Sequence, residues 1–407
     1  MEFELTDEQE KLVSIVKKWY RDYYAGLHIG PHPHYFCYSG KPGCGKTTVV
    51  SKIISELNIE NEYVATAFVG KAVMRLQETG LRAQTLHSLM YDVKFISEPS
   101  ADSPKSKKLK VVFELKKELP EYIKLIIVDE GKMVNDQMVE QLSTFGKPIL
   151  IMGDKNQLPP VYGKSTIMDN PDFTLTKIMR QKEDDPIVVL CNMILQGLPL
   201  MVGDYGKSKV VKYYELDKSF LTDFDQTICS TNRNRDMINN FVRSGLLGIP
   251  DNNPRIGDKV ICRQNNWALD ILGFNLTNGM GGTIIDIDRS SLRRGCYTID
   301  FKPEIFNSSK FLEYDEDDLI FHNLEIDSKY IRGDYNERKL TGFTQYEKFE
   351  YAYAVTCYTA QGSEWKRGLY IHNFFVNADL TKATAYTAIS RFKESVTVVM
   401  QSGKGNL

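Results

Sequence analysis

Gly40-Lys41-Pro42-Gly43-Cys44-Gly45-Lys46-Thr47 sets three glycines, a lysine and a threonine at the spacing that wraps a polyphosphate. The glycines let backbone N–H groups turn toward a phosphate, Lys46 meets the β/γ charge, and Thr47 supplies a hydroxyl for Mg²⁺, with Thr48 next along the helix. Leu125–Val128 then delivers Asp129-Glu130. Asp129 is expected to reach Mg²⁺ through water, and Glu130 to orient or deprotonate an attacking water. Acidic pairs also cap strand ends; the phosphate loop is what favours hydrolysis. Gly153-Asp154-Lys155-Asn156-Gln157-Leu158-Pro159-Pro160-Val161 reads, from residue types alone, as a proline-stiffened loop on the ligand edge of a sheet. Cys44, at a helix N-terminus beside Lys46, is expected to be acidified, open to alkylation, and shielded by bound ATP.

These loops need strands to carry them. Apolar runs at Tyr35–Ser39, Tyr63–Phe68, Leu125–Val128 and Pro148–Met152 each end in a loop of special composition, the pattern of a parallel α/β sheet. A helix precedes them, opened by Thr6-Asp7-Glu8-Gln9 and placing Leu12, Ile15, Val16, Trp19 and Tyr23 on one face. A second set of strands, Gln226–Ser230, Tyr351–Val355, Gly368–Phe374 and Val396–Met400, predicts a second α/β domain. Residues 92–122, with the lysine-rich run 105–110, read as a small excursion, and residues 254–348 as a glycine-punctuated β module.

Composition excludes more than it asserts. The chain has 407 residues, 42% hydrophobic, with net charge −2, so nucleic-acid binding must come from a local basic groove and not from the average surface. Seven scattered cysteines without a CxxC pair suggest neither a disulfide framework nor a zinc cluster. His28, His32 and His34 sit among glycine and prolines without acidic or cysteine partners and read as a plain loop. No apolar run is long enough to span a bilayer, and Met1–Leu5 is unlike a secretory leader, so a cytoplasmic protein is expected.

The loop 153–161 resembles motif III of superfamily 1 helicases, in which the glutamine, here Gln157, senses the γ-phosphate and the loop touches nucleic acid. Other segments then follow in family order. Leu5-Thr6-Asp7-Glu8-Gln9 resembles the Q motif, which assigns Gln9 to adenine; Thr6 and Gln9 also make a plain capping box. Ala65–Ala72 resembles motif Ia and Thr85–Leu89 the Ib-like segment; in the family both line a single strand, which implies contacts from Thr66, Phe68, Lys71, His87 and Ser88. Phe68 is the best stacking candidate, and equally the last core residue of its strand. Leu175–Gln181 resembles motif IV with its phosphate-facing arginine, Arg180. Cys229–Arg233 resembles the second domain's strand-contact loop, implying Thr231 and Asn232. Gly257–Val260 with Asn278–Thr283 resembles the entry to an SH3-like insertion. Thr359–Glu364 matches motif V, adding Thr356 and Gln361 as strand contacts and Gly362 and Glu364 on the nucleotide side; Tyr386–Arg391 matches motif VI with the finger Arg391.

The set is similar to the RecD-like branch, superfamily 1B, and in size to compact Dda-type phage helicases. That resemblance implies an α/β chain of two RecA-like P-loop NTPase domains, a small insertion in the first and an SH3-like β insertion in the second. The boundaries are 1–175 (excursion at 92–122), 176–253 with 349–407, and 254–348. It implies an ATP- and Mg²⁺-dependent 5′→3′ DNA helicase, a monomer on single-stranded DNA and single/double-strand junctions, with a single-strand-binding protein or replication proteins as partners and a host cytoplasm if phage-encoded. Two departures bear on coupling: Tyr358-Thr359 replaces the usual His-Lys, and Gly131-Lys132 follows the acidic pair. A non-unwinding strand-dependent ATPase subunit and an RNA helicase remain open alternatives.

Overall fold

The computed structural model describes residues 4–27, 34–100, 103–179, 184–217, 221–307, 309–333 and 346–400. Helix α1 (Asp7–Tyr24) starts on the predicted capping box, Thr6 and Gln9 each closing on the other's backbone N–H, and buries Leu12, Val13 and Val16. There follow β1 (Tyr35–Gly40), α2 (Lys46–Leu57), β2 (Tyr63–Ala67), α3 (Gly70–Glu78), β3 (Ala83–Thr85) and α4 (Leu86–Met90). A hairpin of β4 (Tyr91–Ser100) and β5 (Ser103–Leu115) forms the excursion. The alternation resumes with β6 (Leu125–Asp129), α5 (Asp136–Ser143), β7 (Ile149–Gly153) and β8 (Phe173–Leu175).

These strands build a parallel sheet in the order β3-β2-β6-β7-β1-β8. Its inner strands are apolar on both faces because helices cover both sides: YVATA, LIIV and ILIM are buried throughout. Register decides where the chemistry gathers. Ser39 lies opposite Gly153 and Ala67 opposite Asp129, so the phosphate loop, the acidic pair and the loop after β7 leave one edge together.

The chain continues through α6 (Pro186–Leu195), β9 (Gly203–Tyr205), β10 (Ser208–Lys212), β11 (Gln226–Cys229), α7 (Asn232–Asn240), β12 (Lys259–Cys262), β13 (Asn266–Ile271), β14 (Phe274–Leu276), β15 (Gly281–Asp288), β16 (Cys296–Pro303), β17 (Phe321–Asp327) and α8 (Ser328–Arg332). It ends with β18 (Phe349–Tyr351), β19 (Ala354–Thr356), α9 (Cys357–Ala360), β20 (Trp365–His372), α10 (Ala378–Ile389) and β21 (Phe392–Met400).

The described residues fall into two compact units. One draws on Met1–Met90, Lys116–Leu216 and Ala360–Asn406. Besides the first sheet it holds β20, β21 and β10 paired in parallel, with β9 antiparallel at their edge. The other draws on Tyr91–Leu115 and Asp217–Thr359. It holds the hairpin, the parallel pair β11 and β19, and an antiparallel sheet β17-β16-β15-β12-β18 formed by the glycine-punctuated stretch. Its alternating burial puts Phe301 and Phe349 in contact inside, rings 5.0 Å apart.

His372 closes β20 with 5% exposure, its ring against Phe374 and its Nδ1 3.2 Å from the Tyr370 hydroxyl. Burial lowers its pKa from 6.5 to about 4. Protonation is opposed in the folded chain alone, so this group's contribution is complete above pH 6.5 and is lost as pH falls toward 4. The loss should approach about 3 kcal/mol, and His372→Gln should flatten the pH dependence of unfolding in that window, read by denaturant melts at stepped pH.

Candidate active site

The phosphate loop has the backbone its glycines predict. Gly43 and Gly45 take φ +82° and +80°, in the left-handed region where a side chain strains the chain, and α2 begins directly after. The lysine amine folds back over the loop: Lys46 Nζ donates to Gly40 O at 2.8 Å and to Lys41 O at 3.4 Å. One expectation is corrected here. Cys44 is 1% exposed, and burial raises its thiol pKa against the smaller opposing pull of Lys46, so the thiol is neither acidified nor open to alkylation. The Gln9 amide is engaged within the chain: Nε2 donates to Cys44 O at 3.0 Å and Oε1 accepts from Thr6 N at 3.0 Å.

Asp129 and Glu130 end β6 beside this loop. Burial, then the Glu130 charge, raises the Asp129 carboxyl above its ordinary range, while Lys46 and Arg75 pull it down. Glu130 sits at φ +52°, a strained backbone for a non-glycine residue. Gly131 allows it: a Cβ there would collide with Ile151 Cγ2 and come 3.2 Å from Met152 O. Lys132 turns away, pairing with Asp169 at 2.7 Å. The Gly-Lys departure is therefore a local packing solution.

The loop after β7 ties the phosphate site to α10. Asp154 is 1% exposed; Oδ2 accepts from the Tyr386 hydroxyl at 2.6 Å and Oδ1 from Asn156 N at 3.0 Å. Leu158 N donates to Thr387 Oγ1 at 2.9 Å, and Gln361 Nε2 donates to Leu158 O at 3.4 Å. Arg391 is 2% exposed, held by Thr387 O at 3.2 Å and Ser390 Oγ at 3.2 Å, with one guanidinium nitrogen 3.9 Å from Glu130 Oε1. Gln157 is 4% exposed, and its Oε1 has no hydrogen-bond partner among the described residues. A buried amide oxygen left open beside a phosphate loop suits a residue whose partner arrives with the nucleotide. Tyr386→Phe should destabilise the protein by about 1–3 kcal/mol, because a buried carboxylate loses a donor; a melt unchanged within error would refute that coupling.

Several strand-contact expectations are corrected. Thr66 is fully buried, its hydroxyl donated to Ile127 O, so it is a sheet-core residue. Gln361 is 2% exposed and its Nε2 donates to Leu158 O, linking two loops, while its Oε1 has no hydrogen-bond partner among the described residues. Thr356 is 7% exposed and caps α9, accepting from Thr359 N at 3.3 Å. Glu364 pairs with Arg75 at 3.0 Å and Lys393 at 2.8 Å. Arg75, which the sequence reading passed over, lies on α3; burial lowers its pKa, and the charges of Glu364, then Glu130 and Asp129, outweigh that and raise it. Its signal was helical spacing, one turn after Lys71.

Other candidates keep accessible positions. Phe68 is half-buried, edge-on to His87 at 5.3 Å, and burial lowers the His87 pKa. Lys71 Nζ lies 5.1 Å over the Trp365 ring, Gly362 (φ +76°) packs against Ala72, and Ser88 is half-buried. Thr231 caps α7, Asn232 is exposed, Thr47 is half-buried and Thr48 exposed. Arg180, His28, His32 and the side chains of 105–110 lie outside the described residues. Among the described residues no three His, Cys, Asp or Glu gather as a metal site, and no helix is long and apolar enough to cross a membrane.

The residues present fit a magnesium nucleotide: a glycine cradle at a helix N-terminus, a lysine within it, Thr47 and Asp129 as oxygen ligands, and the open Gln157 oxygen. Mg²⁺ would supply charge neutralisation at the phosphates. Glu130 would hold the attacking water, and Lys46 and Arg391 would face the developing charge.

Comparison with known proteins agrees with this geometry. A family described as AAA domain matches residues 31–163. The ATP-dependent RecD2 DNA helicase of Deinococcus radiodurans is 25% identical over 374 residues, covering 88% of this chain and 45% of that protein. The chain spans less than half the length of the curated relatives it matches. Among solved structures, the Pif1 helicase of Candida albicans has a TM-score of 0.54 at 17% identity, covering 100% of this chain and 95% of its own. Bacteroides Pif1 in complex with ADP-AlF3 and ssDNA has a TM-score of 0.55 at 17% identity, covering 97% and 92%. In fold the chain is similar to the Pif1 helicases, and in sequence to the RecD2 helicase.

Proposed function

We propose that the protein is an ATP-driven DNA helicase that moves 5′→3′ along single-stranded DNA and opens duplex ahead of it. The observation that carries this reading is the bridge from the phosphate site through Asp154 and Leu158 to α10, which ends in Arg391 beside Glu130. A change at the γ-phosphate, sensed at Gln157, is transmitted through that bridge to α10 and to Gln361. In this reading Mg²⁺ is held by Thr47 and Asp129, Phe68, Lys71, His87, Ser88, Thr231 and Asn232 face the strand, and Arg180 completes the phosphate contacts. The RecA-like and SH3-like boundaries at 175, 253 and 348 belong to the same reading, as do a monomeric state, a cytoplasmic setting, and work in replication, recombination or repair beside a single-strand-binding protein.

The deciding experiment measures ATP-dependent strand displacement on matched duplexes with 5′ or 3′ single-stranded tails, in DNA and in RNA. Displacement only from 5′-tailed DNA is expected. Displacement only from a 3′ tail would overturn the direction, activity on RNA alone would overturn the substrate, and strand-stimulated hydrolysis without displacement would leave a non-unwinding ATPase.

A further inference from the structure

Strand register gathers exposed apolar side chains on one end of the sheet that joins β20, β21, β10 and β9. His372 and Lys212 both lie opposite Met400, so β20, β21 and β10 finish level with one another. β9 runs antiparallel to β10, with Gly203 opposite Val210, so the chain enters β9 from that same end. Met201 and Val202 before β9, Tyr214 after β10, and Phe374 and Val376 after β20 all leave from there and are exposed. Arg391 stands just before β21, at the other end of a nine-residue strand, roughly 27 Å away for residues spaced 3.3 Å apart. The apolar rim is therefore remote from the phosphates, and a cluster of this kind is characteristic of an interaction surface.

β9 also leaves main-chain groups open. It is the last strand of its sheet among the described residues. The turn Gly206-Lys207, with Gly206 at φ +58°, has the two-residue form that closes Tyr205 and Ser208 as a hydrogen-bonded pair. Such pairs alternate along an antiparallel ladder, so Asp204, opposite Lys209, turns its backbone N–H and C=O outward. The Tyr205 hydroxyl donates to Met201 O at 3.0 Å and holds the entering chain in place. Charge on the hairpin is uneven, with exposed Lys207, Lys209 and Lys212 against the single carboxylate of Asp204. Glu215 comes next along the chain, and its Oε2 accepts from Lys212 N at 2.9 Å. Lysines on an edge also repel stray strands, yet the apolar rim beside these works against that use.

We propose that the β9 edge is a docking site for an extended, acidic segment of a partner protein, which adds a strand beside β9 through Asp204 and lays its apolar side chains over Met201 and Val202. Antiparallel pairing is the commoner arrangement, and a segment antiparallel to β9 passes Lys207 and Lys209 first and the rim last. Its carboxylates therefore precede its apolar residues. Main-chain bonds to Asp204 hold the segment, the lysines select its charge, and the rim selects its apolar end.

The test uses the full chain and a fluorescein-labelled peptide of about ten residues, aspartates in its first half and isoleucine and phenylalanine in its second, read by fluorescence anisotropy. Wild-type protein should bind it at least about tenfold more tightly than a peptide with lysine in place of aspartate. Asp204→Pro removes an outward N–H without touching a ladder bond, and removes a carboxylate that repels the peptide, so a loss of about tenfold isolates main-chain pairing. Asp204→Ala should bind as well as wild type or better. Met201→Ser with Val202→Ser should weaken binding by about tenfold through the rim. Strand-stimulated ATP turnover and thermal melts should hold in every variant, because these residues lie away from the phosphate loop. No binding, equal binding of the two peptides, or full affinity in Asp204→Pro overturns the proposal. Dimerisation of the wild type that Asp204→Pro abolishes also overturns it, giving the edge to a second copy. Lys209→Glu with Lys212→Glu is the last arm: a loss of oligonucleotide affinity as large as the loss of peptide affinity assigns the surface to nucleic acid and overturns it too.

Discussion

Alanine at Arg391 should lower strand-stimulated ATP turnover by about 10³-fold or more while nucleotide affinity changes little. The guanidinium is not a surface ion pair. It is 2% exposed, oriented by Thr387 O and Ser390 Oγ, and stands 3.9 Å from Glu130 Oε1. On the proposed reading its charge would face the site where negative charge builds during phosphoryl transfer, in surroundings that screen it poorly. Removing it also leaves Glu130 without its nearest cation, so a folding control is needed. Arg391→Lys keeps the charge and most of the packing but loses the planar fork, and should recover folding without recovering turnover. Single-turnover hydrolysis with and without DNA, beside nucleotide binding and a melt, reads the effect; wild-type turnover in a folded Arg391→Ala protein would remove the arginine from the reaction.

Glu130→Gln should cost turnover about 10²–10⁴-fold, through the opposite chemistry. The amide keeps the side chain's size but loses the basic oxygen that takes up the water's proton. Nucleotide affinity should hold or rise, since a negative charge near the triphosphate is removed. The two variants separate on this point. Arg391→Ala removes positive charge from the site and Glu130→Gln removes negative charge, so equal losses of affinity in both would mean that neither side chain faces the phosphates. The strained backbone at Glu130, φ +52°, is held by the close packing around Gly131, so the carboxylate starts from a fixed direction.

Much of this was legible along the chain because it is local. The phosphate loop, its strand and its helix are contiguous, and glycine spacing alone specifies their backbone. The parallel strands were legible too, since burial on both faces leaves apolar runs such as LIIV and ILIM. Family order placed Arg391 at the site, where the geometry puts it beside Glu130.

Side-chain destination was not legible. Gln9 reads the same whether it faces a base or a carbonyl, and only the approach of α1 to the loop brings Cys44 O within 3.0 Å of its amide. Cys44 carries the sequence context of an acidic thiol, yet burial outweighs the lysine. Thr66 alternates in a strand whose every residue is buried, so no periodicity marks it as core and not surface. Gln361 reached Leu158 across a long stretch of chain, a contact that no spacing rule contains. The sequence by itself determined which chemistry is present at the phosphate loop and the acidic pair, because those motifs constrain their own backbone. Only the tertiary structure decided which polar side chains are left to do that chemistry, because hydrogen-bond partners distant in sequence meet only when the sheet edge forms.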